Sequence, residues 1–253
     1  RMAELKLEDH GKHIAVITLV NETRRNAMTR QMLMELADLW DDLAVSAHRC
    51  VVITGAGDRG FCSGADVSGD LSAAPELAAR INKALLKTHV FPKPIVAAVN
   101  GDCVAGGVEL MLASDIRFAA PHARFGLPEV RLSIYPFGGA TVKLVHQIGY
   151  VHAMKLLLGA ELIDAEAALG IDLINEIVPA DRLIETTLAM AETIAANSPS
   201  AVQAVKRKIS TEIAEHALTQ EELDQKLGDA VRESPHFKEG VTAFLEKRKP
   251  VYD

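Results

Sequence analysis

Two glutamates stand where this sequence has the means to move protons. Glu109 stands in the run V-E-L-M-L-A, a good helix former that follows the pair Gly106-Gly107. Glu129 lies further on, in F-G-L-P-E-V. A helix start offers main-chain N–H groups and the positive end of the helix dipole, and bare glycines let a ligand reach them, so Gly106-Gly107 reads as an anion site. Two carboxylates beside such a site suit general acid–base chemistry, because burial and mutual repulsion push their pKa values apart. Spacing leaves other uses open. Paired glycines equally serve tight strand-to-helix packing, and a first-turn glutamate equally complements the dipole at a surface. Separation along the chain does not say whether the two side chains meet.

A second segment, F-C-S-G-A-D-V over residues 61–67, gathers small residues that admit a ligand to the main chain. Just before it, Gly55-Ala56-Gly57-Asp58-Arg59-Gly60 spells the G-x-G-x-x-G of dinucleotide binding. That motif needs a helix to follow, so that the pyrophosphate meets its N-terminus, and the next residues carry no helical apolar period. A nicotinamide or flavin cofactor is therefore not expected. No H-E-x-x-H, P-loop or G-x-S-x-G pattern occurs. His10, His13, His146 and His152 read as isolated surface or core histidines, and no metal site is expected. Cys50, Cys62 and Cys103 form no C-x-x-C pair and read as buried free thiols of a reducing compartment.

The elements that must position these residues alternate. Ile14–Val20 (IAVITLV), Cys50 to Thr54 (CVVIT), Ile95–Val99 (IVAAV) and Ile116–Ala119 (IRFA) are apolar, largely β-branched runs that predict buried strands, with helical patterns between them. Thr29 reads as the N-cap of a helix whose apolar face is Met32, Leu33, Leu36, Leu39, Trp40 and Leu43. This alternation argues for stacked parallel strands with helices outside. From Asp181 the pattern turns helical, with helices expected over 181–197, 201–215, 221–232 and 236–249. The domain reading is an α/β core over residues 1–180 and a helical region over 181–253.

Composition narrows the function. The 253 residues are 49% hydrophobic and 24% charged, which excludes disorder. A net charge of −7 and only 4% aromatics oppose a nucleic-acid-binding surface. No apolar run approaches the roughly 20 residues of a membrane span, and the opening residues lack the apolar core of a secretory signal. A cytoplasmic or organellar-matrix protein is expected.

The segments F-C-S-G-A-D-V and A-V-N-G-D-C-V-A-G-G-V-E-L-M-L-A-S-D-I-R-F-A-A-P-H-A-R-F-G-L-P-E-V-R-L closely resemble the enoyl-CoA hydratase/isomerase (crotonase) superfamily, most of all its bacterial-type enoyl-CoA hydratases. R-R-N-A-M near the start and E-G-V-T-A-F-L-E-K-R-K-P at the end extend the resemblance over nearly the whole chain. It implies a crotonase-like α/β fold, a stacked ββα spiral core with a C-terminal helical trimerisation region. It implies an acyl-CoA thioester as substrate, stabilised as its enolate, and reversible syn hydration of a trans-2-enoyl-CoA to a 3-hydroxyacyl-CoA. The alternatives it leaves are an isomerase or dehydratase on a specialised acyl-CoA, or a non-catalytic acyl-CoA- or RNA-binding member. Coenzyme A belongs to the substrate, and no separate cofactor is implied.

By the same resemblance, the N–H groups of Ala65 and Gly106 are the oxyanion-hole donors, Glu109 activates the water and Glu129 exchanges the proton at C2. Coenzyme A is expected along Arg24, Arg25, Ala27, Ser63, Ala65 and Asp66. Phe244 and Lys247 match positions that reach a neighbouring subunit's coenzyme, and a homotrimer or a dimer of trimers is expected. The chain departs from the family in two places. Ala105 replaces the first of three glycines, a mild change by side-chain size. Phe137 takes a usual glycine position near the reacting end of the acyl chain, where its ring and Tyr135 are expected to reshape the acyl pocket.

Overall fold

The computed structural model describes residues 2–65 and 75–253. The chain begins with an antiparallel pair, β1 (Glu4–His10) and β2 (Ile14–Val20), and continues through α1 (Arg30–Ala44), β3 (Cys50–Gly55) and β4 (Gly60–Cys62). Next come α2 (Pro75–Ala84), β5 (Ile95–Val99), β6 (Asp102–Val104), α3 (Gly106–Leu112), β7 (Ile116–Ala119) and β8 (Arg124–Gly126). A 3₁₀ turn (Pro128–Leu132), α4 (Ala140–Ile148), α5 (Tyr150–Gly159), β9 (Ile163–Asp164), α6 (Ala165–Gly170) and β10 (Glu176–Ile177) follow. Helices α7 (Leu183–Ala196), α8 (Pro199–Glu233) and α9 (Pro235–Leu245) complete the chain.

The strands form two sheets, ordered β1-β2-β3-β5-β7-β10 and β4-β6-β8-β9. Parallel pairing sets Val16 beside Val52, Val52 beside Val96 and Ala98 beside Phe118 in the first, and Cys62 beside Cys103 and Cys103 beside Phe125 in the second. Each turn of the spiral therefore gives one strand to each sheet: β3 then β4, β5 then β6, β7 then β8. The expected stacked α/β core with helices at its end is what the chain forms.

The continuous apolar runs follow from burial on both faces of the first sheet. Side chains of a strand alternate in direction, so Ala15, Ile17, Leu19, Val51, Ile53, Ala97 and Val99 face α1 and the second sheet. Ile14, Cys50, Val52, Val96, Ala98 and Phe118 face the other way, against Leu183, Ala191 and Ala195 of α7. Helix α1 begins where expected, with Thr29 Oγ1 accepting the Met32 N–H at 3.1 Å, and all six named apolar residues except Leu39 are buried. The strand-like pair β1–β2 adds an edge strand with no apolar run to announce it; its residues are mostly exposed.

The loop after β3 runs into strand β4, so, as its residues predict, its glycines open no anion-binding helix. One expectation changes. The helices expected over 201–215 and 221–232 are one helix of 35 residues, because nothing between them breaks the backbone bonding. Its later part buries Asp224 and Gly228. Among the described residues no helix is long and apolar enough to cross a membrane.

Candidate active site

Three segments leave the carboxyl ends of the parallel strands of the second sheet and converge. The loop after β4 carries Ser63, Gly64 and Ala65; the end of β6 leads into α3 with Gly106 and Glu109; the end of β8 leads into the 3₁₀ turn with Glu129. Ligands of open α/β sheets gather at such ends, where main-chain groups lie unpaired at the start of the next element.

The first two segments are held by main chain. Met28 N–H donates to Gly64 O at 2.8 Å, and Ala105 N–H to Gly126 O at 2.8 Å. Neither bond uses the N–H of Ala65 or Gly106. These two lie side by side: a Cβ at Gly106 would stand 3.5 Å from Ala65 N, and one at Gly64 would stand 3.2 Å from Gly106 N. At Gly107 a Cβ would fall 2.0 Å from Cys62 O, so only glycine lets α3 start this close to β4. Ala105 turns the chain into the helix at φ 55° and ψ −123°, where a Cβ is strained. The change from glycine at this position, mild by size, is a conformational cost.

Two buried asparagines brace the same loops. Asn26 Nδ2 donates to Ala56 O at 2.9 Å and Gly60 O at 2.6 Å, and its Oδ1 accepts from Asn21 N–H at 2.8 Å. Asn100 Nδ2 donates to Gly57 O at 2.9 Å and Gly60 O at 3.0 Å, and its Oδ1 accepts from Gly55 N–H at 3.0 Å. At the far end of α3, buried Arg117 donates to Met111 O at 3.1 Å, a cation at the negative end of the dipole. Sequence reasoning passed over all three, although asparagine within otherwise apolar strand ends is a signal of such bracing.

Both glutamates are buried. Glu109 Oε2 accepts the Ala140 N–H at 3.0 Å, and the Gly138 N–H also bonds this carboxylate. Burial pushes its pKa up to about 7, against the pull of those N–H groups and of the ammonium of Lys87. Glu129 is pushed up to about 8 by burial and then by the negative charge of Glu109, and its Oε2 has no hydrogen-bond partner among the described residues. The fold thus brings the two acids within electrostatic reach and gives them unequal surroundings. Glu109 is the easier to ionise and Glu129 the easier to keep protonated, which is a base and an acid at the same pH.

The other expected positions divide. Ser63 Oγ donates to Arg24 O at 2.7 Å, tying the loop after β4 to the polar loop before α1, and Ala27 is buried beside it. Arg25 is exposed and lies 3.8 Å from Asp102, on the side where the strands of the second sheet begin. Asp66 lies outside the described residues. Phe244 and Lys247 are exposed near the end of α9, and no contact joins them to Glu109 or Glu129. Phe137 and Tyr135 lie beside α8. The Phe137 ring packs on Gly228 of α8, with the Lys87 ammonium 4.5 Å from the ring centroid. Tyr135 turns the same way, its hydroxyl donating to Asp224 at 2.6 Å. Both rings are engaged with α8. Among the described residues, no group of three or more His, Cys, Asp or Glu stands at metal-binding separation.

Comparison with known proteins gives one answer throughout. The family model described as enoyl-CoA hydratase/isomerase matches residues 9–253. The enoyl-CoA hydratase EchA19 of Mycobacterium tuberculosis is 36% identical over 96% of this chain and 94% of its own. The 2,3-dehydroadipyl-CoA hydratase of Escherichia coli is 34% identical over 98% of each. Among solved structures, a carnitinyl-CoA dehydratase from Mycobacterium avium superposes with a TM-score of 0.89 at 35% identity, over 98% of both chains.

Proposed function

Because this chain belongs to the enoyl-CoA hydratase/isomerase family, we propose that it catalyses the reversible syn hydration of a trans-2-enoyl-CoA to a 3-hydroxyacyl-CoA. The observation that carries this reading is the buried pair Glu109 and Glu129, both with raised pKa and unequally so, beside the adjacent N–H groups of Ala65 and Gly106. The thioester oxygen sits against those two N–H groups. Ionised Glu109 takes a proton from water as the oxygen of that water bonds to C3. The C2–C3 π electrons move toward the carbonyl, giving an enolate whose oxygen carries the charge. Protonated Glu129 then delivers its proton to C2 from the same face. Each preorganised donor contributes about 3 kcal/mol to enolate stabilisation, by analogy with single-donor removals elsewhere. Dehydration is the same path reversed. A double-bond shift needs only one of the two acids, so the presence of both favours water addition.

The coenzyme is placed along Arg24, Arg25, Ala27, Ser63 and Asp66, and no cofactor beyond the substrate's own coenzyme A is required by this chemistry. Exposed apolar residues on the last two helices, including Val205, Ile209, Leu218 and Leu245, support assembly into a trimer or a pair of trimers. Three buried free thiols are consistent with a reducing, cytoplasmic or matrix compartment.

The test follows loss of the conjugated enoyl-thioester absorbance with short, medium and long trans-2-enoyl-CoAs. Wild type is expected to turn over at least one of them, and Glu109→Gln and Glu129→Gln to lose most of that rate. Full activity in both variants would refute the assignment of the acids. A wild type inert on every chain length while still binding acyl-CoA would refute hydration.

A further inference from the structure

Lys87 is fully buried, and the proton transfers just described make no use of it. Its ammonium lies 2.5 Å from Glu221 and 2.9 Å from Asp224, both on α8, and over the ring of Phe137. Glu221 also accepts from Asn82 at 2.8 Å, and Asp224 from the hydroxyl of Tyr135 at 2.6 Å. One lysine thus joins two acids of a late helix to both aromatic residues of the segment leading to Gly138. Two carboxylates and an aromatic face thus enclose this buried ammonium. The lysine stem runs against Gly139, where a Cβ would stand 3.4 Å from Lys87 Cγ. The adjacent Gly138 is so close to Glu109 that a Cβ there would stand 2.7 Å from Oε1. This two-glycine turn thus touches the lysine stem at one residue and the glutamate at the next, within an interior where charges act strongly on each other.

We propose that Lys87, locked by Glu221 and Asp224, is a positioning residue that holds the 135–140 turn in place and favours the ionised form of Glu109. It acts in two ways. Through Phe137 and the clamp on Tyr135 it fixes the turn whose Gly138 and Ala140 N–H groups hold the Glu109 carboxylate. Through space its charge opposes the burial that raises the pKa of that carboxylate. The other groups that face Glu109 are Glu129 and Lys143. Lys143 is itself buried, donating to the carbonyls of Leu85 and Leu86 at 3.3 and 2.6 Å, and burial pushes its pKa down to about 7. Lys87 is the one tied to α8, so residues of the last quarter of the chain set the charge of the catalytic base. The proposal rests on the reading of Glu109 as that base, but its test does not need turnover.

The experiment is a carbon-13 NMR titration of the Glu109 carboxyl in the full chain, with the resonance assigned by its loss in Glu109→Gln. In Lys87→Met the midpoint is expected to rise by about one pH unit, and in Lys87→Arg to return toward the wild-type value. Asp224→Asn, which removes one of the two carboxylates that hold the lysine, is expected to move it the same way by a smaller step. That variant keeps an acceptor for the Tyr135 hydroxyl, so it reports even where Lys87→Met fails to fold. An unchanged or lowered midpoint in either variant overturns the proposal. Absence of hydratase activity in wild type with these shifts intact would instead refute the function and leave the electrostatic role standing.

Discussion

The two halves of the site are built from different material. The half formed by the loop after β4 and the start of α3 is held by main chain: Gly64 against Gly106, Gly107 against Cys62, and strand-to-loop N–H to carbonyl bonds. The half formed by residues 128–140 adds to its main-chain contacts a clamp of side chains reaching from α8, through Lys87, Tyr135 and Phe137. Backbone geometry tolerates almost no added atom, whereas a side-chain clamp tolerates changes of shape and responds to changes of charge. The first half therefore suits an oxyanion site, where donors must not move. The second suits the adjustment of acids.

Substitutions test this contrast, and the largest effect belongs to the acid that both halves share. Glu109→Gln should lower kcat by about a thousandfold, the usual range for loss of a general base, while acyl-CoA binding measured by calorimetry stays within a few fold. In the wild type, kcat/KM should trace a bell between limbs near 7 and 8. Below the lower limb Glu109 is protonated and takes no proton from water; above the upper one Glu129 has no proton to give. A profile flat from pH 6 to 9 would contradict both assignments.

Gly107→Ala should cost about 1–3 kcal/mol of stability and most of the activity, because its Cβ meets a backbone carbonyl that cannot move aside. Thermal unfolding together with turnover checks this. Ala105→Gly, in the same half, should instead gain stability, about 1 kcal/mol, by relieving φ 55° and ψ −123°, with the rate unchanged. A lower Tm in that variant would mean the alanine conformation is not strained.

The same alanine substitution in the other half should have the opposite sign to Gly107→Ala. At Gly228 a Cβ would meet only the rings of Phe137 and Tyr135 at 3.6–3.8 Å, ordinary contact distance. Gly228→Ala should raise stability by up to about 1 kcal/mol, through the higher helix propensity of alanine. A matching loss at both glycines would erase the distinction between the halves.

Stability carries a smaller signature of the same acids. Both glutamates have folded-state pKa values above their unfolded values, so the folded state gains relative stability while they stay protonated and loses it as pH rises through about 7 to 8. Glu129→Gln, which cannot ionise, should narrow the fall in Tm between pH 6 and pH 9.

How much of this was legible in the chain follows the same division. The apolar runs of β2, β3, β5 and β7, the Thr29 cap and the glycines before Glu109 are local patterns, and each appears in the structure where its residues predict it. Strands β4, β6 and β8 hold three residues each and leave no period to read. The bracing by Asn26 and Asn100 was hidden because an asparagine's partners are carbonyls from elsewhere in the chain.

The sequence by itself determined the alternating α/β order, the small residues that let two loops approach, and the two acids with their family likeness, because these depend on residue type and short spacing. Only the tertiary structure decided that Glu109 and Glu129 share one buried space with unequal partners. It also decided that Lys87, Tyr135 and Phe137 are gathered by Glu221, Asp224 and Gly228. Electrostatic coupling depends on distance and burial, and both are set by how distant segments pack rather than by their separation along the chain.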